Sequence, residues 1–218
     1  MSESGNGARQ APRRSDGERT HREILDVAMR LASVEGLGSL TIGRLSREVG
    51  ISKSGVFAHF RSKERLQKET VEAARDVFLR EVLEPGLAAP QGLSRVEALC
   101  EAYLSYVERE VFPGGCFFAH ILAEFDARDG PIHEEVAADQ RGWIGLLEEE
   151  IRAAQRGGEL DPERDPAQLA FQLTAAAELA NYYATLHRDG AMVERGREAV
   201  RQTLAEAGHR ADPSRRTE

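Results

Sequence analysis

Apolar side chains recur at three- and four-residue spacing along most of the chain, and glycine or proline breaks the rhythm at intervals; the pattern predicts an all-α protein of about nine helices. No stretch alternates apolar and polar residues as a half-buried strand does. Capping boxes at Ser15-x-x-Glu18 and Thr20-x-x-Glu23 start a first helix that runs to Gly36 with Ile24, Ala28, Leu31 and Val34 inward. Two short helices follow. Thr41 caps one, with Ile42, Leu45 and Val49 on its buried face, and Gly50 closes a tight turn with Ile51 plugging the angle. Ser52 caps the next, whose Val56 and Phe60 point inward. Such a pair is a helix-turn-helix.

The remainder reads as helices throughout. Ser62 caps a long one from Lys63 to about Leu83, with Leu66, Thr70, Ala73, Val77 and Phe78 inward and Pro85-Gly86 ending it. Ser94-x-x-Glu97 opens a helix to about Val111, and Pro113-Gly114-Gly115 breaks it. A short apolar helix from Cys116 to Phe125 precedes one opened by Pro131 and closed after Arg156 by Gly157-Gly158. Asp165-Pro166 starts another to His187, with Leu169, Leu173, Ala176, Ala180 and Tyr183 down one side. The last helix, after Asp189-Gly190, carries Met192, Gly196, Ala199, Val200 and Leu204. The expected organisation is a disordered basic tail over 1–15, a three-helix helix-turn-helix domain over 16–66, a larger helical domain over 67–208 and a frayed tail over 209–218.

Charge sharpens this division. The chain's net charge is −8, yet residues 1–66 hold 12 Lys+Arg against 8 Asp+Glu, while residues 67–218 hold 17 against 29. The basic end is therefore the helix-turn-helix end. With the apolar face of its second short helix turned inward, Lys53, Ser54, Gly55, Ala58 and His59 lie outside, a small, polar and cationic surface suited to a DNA major groove. A distant acidic body does not forbid phosphate contact, because charges are screened beyond ~10 Å at ordinary salt. Arg9, Arg13, Arg14 and Arg19 could form an arm near DNA. No apolar run is long enough to span a membrane, and no amino-terminal leader pattern is present, so a cytoplasmic protein is expected. Cys100 and Cys116 lie in apolar surroundings and read as reduced, packed thiols.

Residues 41–66 resemble the DNA-binding domain of the tetracycline-repressor (TetR) family of bacterial transcription regulators. The resemblance rests on Thr41, Leu45, Ser46, Val49, Gly50, Ile51, Ser52, Phe57, His59, Phe60, Lys63 and Leu66 in order. Phe57 departs from the family's usual tyrosine, whose hydroxyl binds a phosphate. The resemblance implies that Ser52, Lys53 and Ser54, with Gly55 allowing close approach and Arg44 from the preceding helix, face bases, and that Thr41, His59 and Lys63 hold phosphates. It further implies a homodimer through the helices at 165–187 and 190–208, a palindromic double-stranded operator, and a small-molecule effector bound among the central helices.

Aromatic residues concentrate there: Tyr103, Tyr106, Phe112, Phe117, Phe118, Phe125 and Trp143 all fall between residues 99 and 147. A core accounts for most such clusters. The family's cavity lies in the same helices, so Tyr103, Tyr106, Cys116, Phe117, His120 and Trp143 are the candidate ligand residues, and the implied ligand is small and largely apolar or aromatic. His120, Glu124 and His133 could be read as a metal site, but no zinc-finger spacing supports it. There is no Cys-x-x-Cys, phosphate loop, nucleophile elbow or His-Glu-x-x-His, so no metal, cofactor or catalytic residue is expected. The expectation is a homodimeric repressor released by its ligand. Rival readings are a small-molecule carrier with a vestigial DNA-binding domain, and an activator of the same architecture.

Overall fold

Helix α1 (Asp16–Glu35) buries Ile24, Ala28, Met29, Ala32 and Ser33, a stripe that follows i, i+4, i+8; Val34, expected inward, lies off that line and is 51% exposed. The structure is a computed structural model that describes residues 16–208. The tails expected at 1–15 and 209–218, with Arg9, Arg13 and Arg14, lie outside the described residues. A tight 3-10 turn, Leu37–Ser39, follows α1 and brings Leu37 and Leu40 into the core.

Helices α2 (Ile42–Val49) and α3 (Lys53–Phe60) form the helix-turn-helix, and side chains satisfy their free amide ends. Thr41 Oγ1 accepts from Arg44 N at 3.2 Å, and Ser52 Oγ accepts from Gly55 N at 3.0 Å. Between them Gly50 takes the left-handed conformation, φ 76°, which a side chain would strain. Ile24, Leu37, Leu40, Leu45, Val56, Phe60 and Leu66 are wholly buried and weld the pair to α1 and the next helix.

Ser62 caps α4 (Lys63–Phe78), accepting from Arg65 N at 3.1 Å. The expected domain boundary at residue 66 falls inside this helix, which passes unbroken from one half to the other. Pro85-Gly86 does not end the rod as its sequence suggests. A wide π turn over Leu79–Leu83, in which Glu84 N bonds Leu79 O, leads into α5 (Glu84–Leu87). Widening this turn relieves the clash that the Pro85 ring would make with the carbonyl four residues back.

Helix α6 (Leu93–Glu108) stops short of Val111, and the Ser94 box does not cap it. Carboxylates from distant segments do so instead: Glu150 Oε2 accepts from Gly92 N at 3.0 Å and Glu159 Oε2 from Leu93 N at 3.1 Å. Glu150 also pairs with Arg95 at 3.1 Å, which satisfies a buried charge. Helices α7 (Phe117–Phe125), α8 (Pro131–Arg156), α9 (Pro166–His187) and α10 (Ala191–Ala207) complete the second half. Gly196 lets α10 close on α9 and α6. A Cβ there would stand 2.6 Å from Ala180 Cβ and 3.1 Å from Leu104 Cδ2.

Helix α9 has two apolar faces. Leu169, Leu173, Ala177 and Ala180 are buried, whereas Phe171, Leu179, Tyr182, Tyr183 and Leu186 face outward, Leu186 being 72% exposed. Tyr183, expected inward, is displaced because Asn181 takes the core position, its Oδ1 accepting from Cys116 N at 2.7 Å. Apart from an isolated bridge between Leu160 and Gly208, the described residues contain no strand pairing. None of their helices is long and apolar enough to cross a membrane.

Candidate functional site

Two features stand at opposite ends of α4. At its amino end the outer face of α3 presents Lys53, Ser54, Phe57 and Ala58 to solvent, Phe57 at 54% exposure. Ser52 Oγ lies 3.0 Å from Ser54 Oγ, and the Lys53 stem crosses Gly43 of α2. Thr41 is exposed beside them and Gly55 half-buried, its amide held by the Ser52 cap. Arg44 is engaged within the chain, its guanidinium forked onto the Glu35 carboxylate with Nη2 at 2.6 Å from Oε1. That pairing holds the Glu35 carboxyl below its ordinary value and raises Arg44 above its own. Lys63 Nζ donates to Gly38 O at 2.7 Å, and the His59 ring sits 5.5 Å from that of His21, whose Nε2 is 2.8 Å from Glu69.

Farther along α4, a cavity of about 360 Å³ opens among α4, α6, α7, α8 and α9. Phe78 of α4 is its hub. It meets Phe118, Trp143 and Tyr106 edge-on, with ring centroids 5.8, 5.7 and 6.0 Å away. Tyr103 and Trp143 line the wall 6.1 Å from each other, with Leu122 and Val136 nearby. Cys116 and Glu178 add polar groups, and Arg75 and Asp139 form a bidentate pair at 2.8 Å on both arms.

Of the candidate ligand residues, Tyr103, Cys116 and Trp143 line this space. Tyr106 and Phe117 lie in the core behind it, and His120 is half-buried off the wall. The reason is rotation along α7: Phe118, Ala119 and Leu122 face the cavity, so Phe117 and Ile121 face the opposite packing. Sequence reasoning passed over Phe78, Arg75, Asp139 and Glu178. Phe78 was legible as an inward residue near the end of α4, but the others read as surface charges on helices.

Burial sets the chemistry of the wall. The Tyr103 hydroxyl is buried with no stronger partner than the neighbouring Cys116 thiol among the described residues, and desolvation pushes its pKa well above the ordinary phenol value. Burial likewise raises the Cys116 thiol, and it pushes Cys100 up to about 12, so neither is a ready nucleophile. Glu178 makes no hydrogen bond or ion pair among the described residues, and desolvation raises its carboxyl.

No group of three or more His, Cys, Asp or Glu among the described residues is placed to hold a metal. Glu124 is committed elsewhere, accepting from Leu37 N at 2.7 Å and Gly38 N at 2.9 Å, and His133 Nδ1 lies 2.9 Å from Phe125 O.

This architecture coincides with two family profiles, "Bacterial regulatory proteins, tetR family" over residues 24–70 and "Tetracyclin repressor-like, C-terminal domain" over residues 92–200. The chain belongs to the TetR family. Among solved structures, a TetR transcriptional regulator from Chloroflexus aurantiacus J-10-FL matches with a TM-score of 0.80 at 25% identity, covering 88% of this chain and 97% of that one. AibR, solved with isovaleryl coenzyme A and operator DNA, matches at 0.68 and 19% identity over 87% of this chain and 98% of its own. The HTH-type transcriptional regulator AcrR of Shigella flexneri is 32% identical over 59 residues, 27% of each chain. This TetR-family chain spans less than half the length of the curated relatives it matches. Family members are DNA-binding transcription regulators rather than enzymes.

Proposed function

We propose that the chain is a homodimeric transcriptional repressor that binds a palindromic operator in the cytoplasm and leaves it when a small, largely apolar ligand fills the cavity. The observation that carries this reading is the shared helix. Lys63 and the Ser62 cap stand at the recognition end of α4, while Arg75 and Phe78 stand in the cavity wall on the same rod. A ligand that displaces Phe78 must therefore tilt or slide the element on which α3 rests.

On the operator, Lys53, Ser54 and Ser52 face bases, and Thr41, His59 and Lys63 hold phosphates. Lys63 has two N–H groups left after its bond to Gly38, whereas Arg44 reaches DNA only by exchanging Glu35 for it. A second copy of the chain covers the outward apolar face of α9, which has no reason to face water in an isolated protomer. Two-fold pairing then sets the recognition helices ~34 Å apart, one turn of DNA. Release needs differential affinity: a hundredfold loss of operator binding corresponds to about 2.8 kcal/mol. AibR, crystallised with both a coenzyme A thioester and operator DNA, shows the same fold holding ligand and DNA.

The test is retardation of the fragment flanking the chain's own gene, followed by footprinting. An inverted repeat protected by a dimer supports the reading. Indifference to every inverted-repeat fragment at low salt ends it, and binding that increases expression of the neighbouring gene assigns an activator instead.

A further inference from the structure

We propose that the cavity's ligand is an organic cation: a small aromatic or aliphatic body carrying a tertiary or quaternary ammonium group, with Glu178 as its counter-charge. This rests on the cavity being the effector site, and it narrows the chemistry of what enters. Four aromatic rings bound the space, Phe78, Tyr103, Phe118 and Trp143, with Phe78 meeting the other three edge-on. The face of an aromatic ring carries negative quadrupole charge and attracts an alkylammonium more than a neutral group of the same shape, so a wall this rich in rings favours a cation.

The polar inventory points the same way. Glu178 stands on α9 at the cavity wall, and no cation of the described residues answers it. Its charge acts on Tyr103 and Cys116 of the same wall as well as on Tyr182. The Tyr103 hydroxyl in the same wall is buried with the Cys116 thiol as a weak partner, and its lone pairs can accept from an ammonium N–H or face a quaternary head. A buried polar group with only a weak partner is costly, and a ligand supplying a stronger one recovers part of that cost on binding.

An anionic ligand fares worse. Among the described residues of the wall Arg75 carries the one guanidinium, and Asp139 already takes its Nε and Nη2 and neutralises its charge, with Glu135 3.9 Å away. An incoming carboxylate or phosphate would meet a guanidinium whose charge Asp139 already balances, and would share the space with an unneutralised Glu178. With one cation against two anions among its ionisable wall groups, the cavity lacks a single positive charge rather than a negative one. At about 360 Å³ it falls at the small end of ligand sites, which run from roughly 300 to 1,000 Å³, so the body attached to the ammonium is of the order of one ring.

Equilibrium dialysis of the full-length chain against three shape-matched probes tests this: benzyltrimethylammonium, its neutral isostere neopentylbenzene, and 3-phenylpropanoate. The cation should bind at least tenfold more tightly than the neutral isostere, and the anion least. Glu178→Gln, with its thermal melt taken as a control for folding, should bring the cation down to the affinity of neopentylbenzene and leave the latter unchanged. Equal binding of cation and isostere, a preference for the anion, or a Glu178→Gln variant that keeps the cation preference overturns the cation assignment while leaving the cavity as effector site. Failure of all three probes to bind a folded protein removes the cavity as a binding site, and the cation with it.

Discussion

The Glu124 carboxylate lies 2.7 Å from the Leu37 amide, and through that contact α7, one wall of the cavity, holds the turn that joins α1 to the helix-turn-helix. The same carboxylate takes the Gly38 amide at 2.9 Å, while Lys63 takes the Gly38 carbonyl from the other side. The turn is thus clamped between α7 and the first residue of α4.

Removing the clamp should loosen the recognition unit without emptying its core. Glu124→Ala leaves two amides without their acceptor, a loss of about 1 to 3 kcal/mol. Urea unfolding should register that loss, and hydrogen exchange should accelerate at Leu37 and Gly38 before it does in α6. Unchanged exchange at both amides would show that solvent replaces the carboxylate without consequence.

Helix approach at Gly196 gives a second expectation. A methyl group there meets Ala180 Cβ at 2.6 Å, so Gly196→Ala should separate α10 from α9 and cost about 1 to 3 kcal/mol, as overpacked cores do. The decrease in thermal midpoint should exceed that of Gly190→Ala, where a Cβ meets nothing within 4 Å.

On DNA, the two lysines should differ in kind. Lys63→Ala should weaken operator binding to a similar degree across sequences and flatten its salt dependence by about one counterion, whereas Lys53→Ala should change which base is preferred, by about 1 to 3 kcal/mol. Retardation titrations at several salt concentrations, on operators varied one base pair at a time, separate the two. Identical behaviour of both variants would remove Lys53 from base contact.

The outward face of α9 supplies a test of assembly. Leu179→Asp places a charge on the exposed apolar stripe, so it should leave the protomer folded by circular dichroism yet shift sedimentation from dimer to monomer. Operator affinity should fall with it, because a monomer meets only one half-site. A dimer of undiminished stability would locate the interface elsewhere.

Glu178 makes stability depend on pH with a definite sign. Its folded pKa is raised from the ordinary 4.5 by desolvation, so the folded chain keeps this proton to higher pH than the unfolded chain does. Stability from this group is therefore complete below the unfolded value and declines as pH rises through the folded one. The groups facing it do not reverse this. Tyr103, Cys116 and Tyr182 are themselves raised and stay protonated, and Arg75 is neutralised by Asp139. Glu178→Gln should be more stable than the parent at neutral pH, with the advantage vanishing near pH 4.5 and below, as chemical unfolding at several pH values can measure.

What the sequence made legible is what local rules govern. Caps at Thr41, Ser52, Ser62 and Asp165, the left-handed Gly50 and the Pro131 start are short-range devices, and each stands where its residue pattern places it. Long-range substitutions escaped. Ser94 has the pattern of a capping box, but Glu150 and Glu159 satisfy the amides at that end. Pro85 has the pattern of a stop, but a wide turn carries the helix past it. In the cavity, aromatic content was visible along the chain, yet which rings face inward depends on rotations of α7 and α9 fixed by Phe117 and Asn181 in the core. Arg44 reads as a free cation until Glu35, nine residues earlier, closes on it.

Trp143 is the chain's single tryptophan, and its indole forms part of the cavity wall against Phe78. Ultraviolet emission excited at the red edge of the protein's absorption therefore comes from that wall alone. Any compound that enters must change the intensity or wavelength of this light, so unlabelled protein can survey candidate effectors by itself, and the speed of the optical change dates the movement of the wall relative to departure from DNA.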